Sequence, residues 1–217
     1  MNTPSSPDQN LEHFSNKDIF SKIWVFPRAV FRFIEAKKLD EYVYILLILN
    51  GICNAFDRAV DRNLGDHLSL GMIITVCVLV GGLLGWISLA IYAALLSWTG
   101  KWVGGQADSK SLLRVLAYGT IPSIVASIFL IPQIGIYGIA LFQQDGDITG
   151  GSVLQNVVFW GAMFLEVVLA IWSFIITLIG VSEIQQISIL KAFLNLLLPI
   201  LIFVVPLLMI AGIFSTL

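Results

Sequence analysis

Five long apolar runs constrain the fold of this chain more than any other feature. They cover residues 42–60, 68–98, 112–131, 153–181 and 189–214. A helix rises about 1.5 Å per residue, so about 20 apolar residues cross a hydrocarbon layer ~30 Å thick. Within lipid, each backbone N–H and C=O must find a partner inside the segment, which a single run achieves only as a helix. The runs therefore predict an all-α, polytopic membrane helical bundle with five transmembrane helices. The first run, "YVYILLILNGICNAF", is short and ends polar. The second is longer than a span needs and should tilt or protrude. The third leaves open an extension through residues 132–142. Composition agrees: 58% of residues are hydrophobic and 12% charged, against about 25% charged in a soluble domain.

Lys and Arg distribution sets the expected orientation. Lys17, Lys22, Arg28, Arg32, Lys37, Lys38, Lys101, Lys110, Arg114 and Lys191 fall on one side of the five-span topology. Only Arg58 and Arg62 fall on the other. This predicts a cytoplasmic N-terminus and an outside C-terminus. The opening stretch, "MNTPSSPDQNLEHFSNKD", lacks a basic region followed directly by an apolar one, so no cleavable signal peptide is expected. The expected domains are a polar, disordered tail at 1–16, an amphipathic interfacial segment at 17–41 and a five-helix membrane domain at 42–217.

The segment "KDIFSKIWVFPRAVFRFIEAKKL" begins at Lys17. Pro27 suits a first helical turn. Beyond it Arg28, Arg32 and Glu35 share one face at i, i+4 and i+7, while Val30, Phe31, Phe33 and Ile34 cover much of the rest. The segment reads as lying on the cytoplasmic membrane surface. Packing on the chain's own helices is the alternative, and a protein-recognition helix is a third reading.

Glu166 is the most informative single residue. It lies about 13 residues into the fourth run, roughly 20 Å deep at helical rise. A carboxyl there costs at least about 2.5 kcal/mol on insertion scales, so it should face the bundle or a cavity. Ala162, Glu166, Ala170, Ser173 and Thr177 form a small or polar stripe at helical spacing. The first span offers Asn50, Asn54 and Asp57 as a partner face, with Asn54 the best match in depth. These four, Glu166, Asn50, Asn54 and Asp57, form the candidate buried polar site. It serves either as a hydrogen bond fixing helix packing or as a proton- or ion-sensitive site. Gly81, Gly85 and Ser88 make a smooth packing stripe on the second span. Pro122, Pro132, Pro199 and Pro206 remove backbone donors within later runs, so kinks are expected.

Other motifs carry less. Cys53 and Cys77 read as small core residues rather than a disulfide or metal pair. "DGDITGGSVLQN" resembles a calcium loop, with Asp145, Asp147, Thr149 and Gly150 at early ligand positions. Asn156 stands where the bidentate Glu belongs, so the stretch reads as a turn, capped by Thr149 or Ser152. "GGQADSKS" approximates a phosphate-binding loop, but Ser109 replaces its second glycine and no strand precedes it. It reads instead as a turn in which Gly104–Gly105 release one helix and Asp108 or Ser109 caps the next. No catalytic set, metal site or cofactor is expected. The expected partners are the lipid bilayer and other membrane proteins or a second copy, with no nucleic acid and no nucleotide.

Several of these pieces together resemble the Yip family of Ypt/Rab-interacting five-span membrane proteins, particularly its bacterial members. "GGQADSKSLLRVLAYGTIPSIV" is similar to the family's Gly-Gly, polar turn and aromatic-x-x-x-Pro pattern, here Gly104, Gly105, Tyr118 and Pro122. The Pro-containing tail "IFSKIWVFPRAVFRFI" is similar to the family's amphipathic lead-in. The later region matches at Trp172, Gly180, Glu183, Ser188, Lys191 and Ala192. The resemblance covers nearly the whole chain after about residue 17. It implies a five-helix membrane domain, placed in a bacterial inner membrane for a bacterial-type member, and, in eukaryotic members, trafficking roles with Rab GTPases and other Yip proteins as partners. It brings no catalytic residues. The function expected is a non-enzymatic membrane protein that organises membrane or partner proteins through its bundle and basic tail. A small transporter or channel using Glu166 and the first span's polar face is the alternative.

Overall fold

The computed structural model describes residues 15–147 and 150–215, with side chains as far as residue 202 apart from that of Leu154. Most of the expected 1–16 tail, Thr149 and the Pro206 side chain lie outside the described residues. The elements are α1 (Asp18–Lys22), α2 (Pro27–Lys37), α3 (Val43–Asp61), α4 (Leu70–Val103), α5 (Ser109–Phe142), α6 (Val153–Gln185) and α7 (Ile189–Ser215). Among the described residues there are no strands. Helices α3 to α6 each contain a stretch long and apolar enough to cross a membrane. Helix α7 has 27 residues, of which Ile189–Ile202 carry described side chains.

The chain divides into two compact units. The second comprises Asp40–Leu89 and Ala117–Ile175. Here α3 and α4 meet at glycines: a Cβ on Gly51 would lie 2.7 Å from the Gly85 Cα and closer still to the Gly81 carbonyl oxygen. Without side chains in the way, the backbones touch. Of the expected packing stripe, Gly81 and Gly85 are in this contact, whereas Ser88 is exposed. Helix α4 carries a π-helical turn, Cys77–Gly81, at the contact. Ala59, Ile73, Cys77, Leu141 and Phe142 form a buried core, with the Phe56 and Phe142 rings 6.5 Å apart. Cys53 and Cys77 are both free thiols.

Helix α5 is broken where Pro122 requires it. Regular helix stops at Gly119 and restarts at Ile121. The buried Ser173 hydroxyl donates to the Gly119 carbonyl oxygen at 2.8 Å, satisfying backbone that the kink frees. After a 3-10 turn, Ser127–Phe129, the helix resumes as Leu130–Tyr137 and tightens over Gly138–Phe142. The third span therefore continues through 142 rather than stopping at 131. The fourth runs to 185 rather than 181, because its stop is a Schellman turn on Gln186 (φ 57°) instead of a glycine. Its start is a reciprocal cap: Ser152 Oγ accepts from Gln155 N–H at 3.4 Å, and Gln155 Oε1 accepts from Ser152 N–H at 2.7 Å.

The first unit comprises residues up to Leu39, Ala90–Leu116 and Ile176 onward. Its core takes in the apolar side of the N-terminal segment: Ile19, Ile23, Val30 and Phe31 are fully buried, and Phe33 and Ile34 nearly so. Phe31 lies against Val115 and Gly180, where a Cβ on Gly180 would fall 2.6 Å from the Phe31 ring. The apolar face of α2 thus packs on the chain's own helices.

Candidate functional site

Two polar clusters are candidates, one in each unit. In the second unit Glu166 Oε1 accepts a 2.9 Å hydrogen bond from Gln133 Nε2. Gln133, in α5, is buried and Glu166 is half-buried. The expected partner Asn54 is engaged elsewhere: its Nδ2 donates to Asn50 O at 2.8 Å and Asn50 Oδ1 at 2.7 Å, within α3. Of the expected buried set only Asn50 is buried, and Asn54 and Asp57 are exposed. Asp57 sits one turn from the end of α3, roughly 6 Å at helical rise, so its carboxyl has no need of a buried partner. It remains within electrostatic reach of Glu166. On the Glu166 stripe Ala162 and Ser173 are buried, Thr177 is partly buried and Ala170 is exposed. Gln133 was the missed residue. An amide inside an apolar run is the signal that would have found it.

The first unit holds the larger network, centred on the turn between α4 and α5. Gly104 has φ 89°, a left-handed conformation that only glycine adopts freely. Gly105 N–H donates to Gly100 O at 2.8 Å. The fully buried Gln185 fills the space beside both Gly100 and Gly105, where any Cβ would strike it. Its Oε1 accepts from Ala107 N–H at 3.0 Å and its Nε2 donates to Leu96 O at 3.3 Å. One side chain of α6 thereby pins the turn on both sides. Lys191, exposed, has its Nζ 3.9 Å from where a Gly104 Cβ would stand. Helix α5 then starts at a cap: Asp108 Oδ1 accepts from Ser111 N–H at 2.8 Å. Hydrogen bonds from Ser111, with Arg114 and Lys38 nearby, hold the Asp108 carboxyl below the usual carboxylate range.

The same turn receives α2. Glu35 Oε1 accepts from the Ser111 hydroxyl at 2.9 Å, and Glu35 Oε2 pairs with Arg114 Nη1 at 3.1 Å. Arg114 is 4% exposed, so this pair is a tether rather than a surface decoration. Arg32 of α2 pairs with Glu183 of α6. Deeper in the unit, Thr99 Oγ1 donates to Asn195 Oδ1 at 2.8 Å and Tyr92 Oη to Leu196 O at 2.8 Å. At the α6–α7 turn a polar cleft of about 380 Å³ is lined by Arg28, Ser182, Glu183, Gln186 and Ser188, with Ile187 and Ile189.

With this architecture in view, the comparison with known families is decisive: the Yip1 domain matches residues 22–210. The chain belongs to the Yip1 family. Neither a curated protein nor a solved structure matches it. It is a polytopic integral membrane protein of that family, and its helices face the lipid bilayer. The Yip motif positions serve mainly to build the α4–α5 turn and the Pro122 break. Tyr118 is fully buried and hydrogen-bonded to the backbone of Tyr42, in the second unit. Pro122 is buried at the helix restart. Trp172 is 41% exposed, on the outside of α6. In the calcium-like loop, Asp147 Oδ1 accepts from Gly150 N–H at 2.6 Å and Asn156 Nδ2 donates to Ser152 O at 3.4 Å, so these side chains are spent on the turn itself.

Proposed function

We propose that this Yip protein is non-enzymatic and organises membrane or partner proteins, with its basic N-terminal segment as a working surface. The observation that carries the reading is the tether on α2. Its apolar face is sealed by Phe31 on Val115 and Gly180, and its polar face is tied through Glu35–Arg114 and Arg32–Glu183. A segment held this way is a built part of the protein, and it presents Arg28 outward. Residues 17–41 lie at the cytoplasmic interface, 42–217 form the membrane domain, and the C-terminus is outside; the ten-to-two Lys and Arg asymmetry supports that orientation. The membrane is the bacterial inner membrane, and the partners are membrane proteins or a second copy.

Photo-crosslinking in native membranes tests the reading. A crosslinker at Arg28 should capture specific protein or self adducts, lost when Glu35→Ala and Arg32→Ala together loosen α2. Lipid adducts alone would sink the organising role.

A second reading, transport through the Glu166 region, is favoured by one observation: a membrane-depth carboxyl held by a buried Gln133, with Asp57 in electrostatic reach. Proteoliposomes decide it. Proton or cation flux that Glu166→Gln abolishes would establish transport, and absence of flux would reject it.

A further inference from the structure

The turn joining α1 to α2 reverses the burial pattern around it. Ile19 and Ile23 are fully buried in the first unit, yet Val25 and Phe26 are 69% and 61% exposed. Two large apolar side chains at the tip of a short turn are unfavourable in water. Several polar groups at the tip are already paired, which lowers the cost of their leaving it. Ile23 N–H donates to Ile19 O at 3.0 Å, Val25 N–H to Lys22 O at 3.2 Å and Phe26 N–H to Lys22 O at 2.8 Å. The Trp24 indole N–H donates to Phe20 O at 2.9 Å, and Pro27 has no N–H to satisfy. Each of these donors is paired, so the tip can enter an apolar medium without stranding them. The tip is also held fast, because Ile23 behind it and α2 beyond it are anchored in the unit.

Charge identifies what the tip meets. Lys17 and Arg28 flank it and are exposed. The two acids within residues 17–39 are already committed, Asp18 to Lys22 at 3.3 Å and Glu35 to Arg114 at 3.1 Å. An apolar tip between exposed cations matches the anionic headgroup layer of a bilayer, where apolar groups sink to the acyl boundary and Lys and Arg stay with the phosphates. We propose that Val25 and Phe26 form a wedge inserted into the anionic leaflet beside the bundle, with Lys17 and Arg28 on its lipid phosphates. The proposal rests on the interfacial reading of residues 17–41 and specifies which atoms touch lipid and which lipid they prefer.

The test uses the full chain with Cys53 and Cys77 replaced by Ala and a single Cys placed at 25, 26 or, as a water-side control, 145. An environment-sensitive fluorophore is attached, and the protein is reconstituted in phosphatidylcholine with or without phosphatidylglycerol. Expected is a blue-shifted emission at 25 and 26, quenched by doxyl-labelled lipid and shielded from aqueous iodide, with the reverse at 145. Phosphatidylglycerol should deepen the quenching at least about twofold, and Arg28→Glu with Lys17→Glu should remove that increment. Iodide quenching at 25 and 26 would overturn the wedge. So would shielding from both quenchers, or a signal that changes when residues 1–14 are deleted, since either means that protein covers the tip. Protein adducts at Arg28 with an uninserted tip would refute the wedge and leave the organising role standing; an inserted tip with lipid adducts alone would do the opposite.

Discussion

Replacing Gly51 with Ala tests the most demanding contact in the molecule. A Cβ there would sit 2.7 Å from the Gly85 Cα, where ordinary contacts begin at 3.4 Å, and closer still to the Gly81 carbonyl oxygen. The obstacle is backbone on both counts, so no side chain can rotate away. Helix α4 must retreat from α3 by at least about 0.7 Å at this point, along a contact whose strength in lipid comes from close van der Waals packing. Overpacking of this kind costs about 1–3 kcal/mol. At about 2 kcal/mol the folded-to-unfolded ratio falls by up to roughly thirtyfold. Gly85→Ala should behave alike, because its Cβ would fall on Gly51 backbone atoms. Gly71 and Gly161 provide the control. Each is helical with nothing within 4 Å of an added Cβ, so Ala there should be neutral or stabilise by up to about 1 kcal/mol through helix propensity. The assay is reversible unfolding of the purified protein in mixed micelles, monitored by circular dichroism, with all four single variants run side by side. If Gly51→Ala unfolds at the same midpoint as Gly161→Ala, the close crossing is not there and the packing argument fails.

Glu35→Ala leaves Arg114, only 4% exposed, without its carboxylate and Ser111 without its acceptor; the expected cost is about 1–3 kcal/mol, read as faster tryptic cleavage at Lys37 and Lys38, and unchanged cleavage would refute the tether. Gln185→Ala removes the partner of both Ala107 N–H and Leu96 O, at about 1–3 kcal/mol for each orphaned group that water cannot reach; a thermal midpoint equal to wild type would contradict the pinned turn. Asp108 contributes a pH dependence of known sign: its carboxyl is held below the ordinary range by Ser111, Arg114 and Lys38, so its stabilisation is present above the unfolded carboxylate value of about 3.9 and lost as pH falls through the lower folded value. Asp108→Asn should therefore flatten the acid limb of the stability profile below about pH 4, and an unaltered limb would refute the assignment. Glu166→Gln should keep its bond to Gln133 and unfold near the wild-type midpoint, whereas Glu166→Leu leaves the buried Gln133 amide unpaired and should cost about 1–3 kcal/mol; equal midpoints for the two would remove the bond from consideration.

The spans were legible because lipid leaves a chain few options. A run of apolar residues must close its own backbone hydrogen bonds, and each expected run is indeed a helix. Their ends were less legible for a local reason. Helices α2 and α6 stop on Lys38 and Gln186 in left-handed backbone, at φ 48° and 57°, where sequence rules look for glycine. The candidate site was half legible. Depth singled out Glu166, but depth along a helix does not say which neighbour lies across from it. Asn54 matched in depth and bonds within its own helix; Gln133 could not be paired with Glu166 until the third span was known to continue through 142. Arg114 illustrates the same limit. As a cation at a helix start it marked a side of the membrane, and only folding shows Glu35 across from it.

The two units are held by different forces, and this bears on what each can do. In the second, α3 and α4 meet through bare glycine backbones, a contact that tolerates no added atom and gains its strength from proximity alone. Such a surface has one arrangement and little capacity to be switched. The first unit is held by side-chain hydrogen bonds and ion pairs with exposed members: Glu35 is 34% exposed while its partner Arg114 is buried, and Arg32 is 49% exposed opposite Glu183 at 17%. The Arg32–Glu183 pair, the more exposed of the two, contributes about 0–1 kcal/mol and is screened by salt. The apolar seal of Phe31 on Val115 and Gly180, with the Glu35–Arg114 tether whose cation is buried, must then supply most of the hold on α2. Regulation of this Yip protein through its N-terminal segment would therefore have to lift an apolar face. Raising ionic strength alone should leave α2 docked, and protease protection of Lys37 and Lys38 in high salt checks that directly.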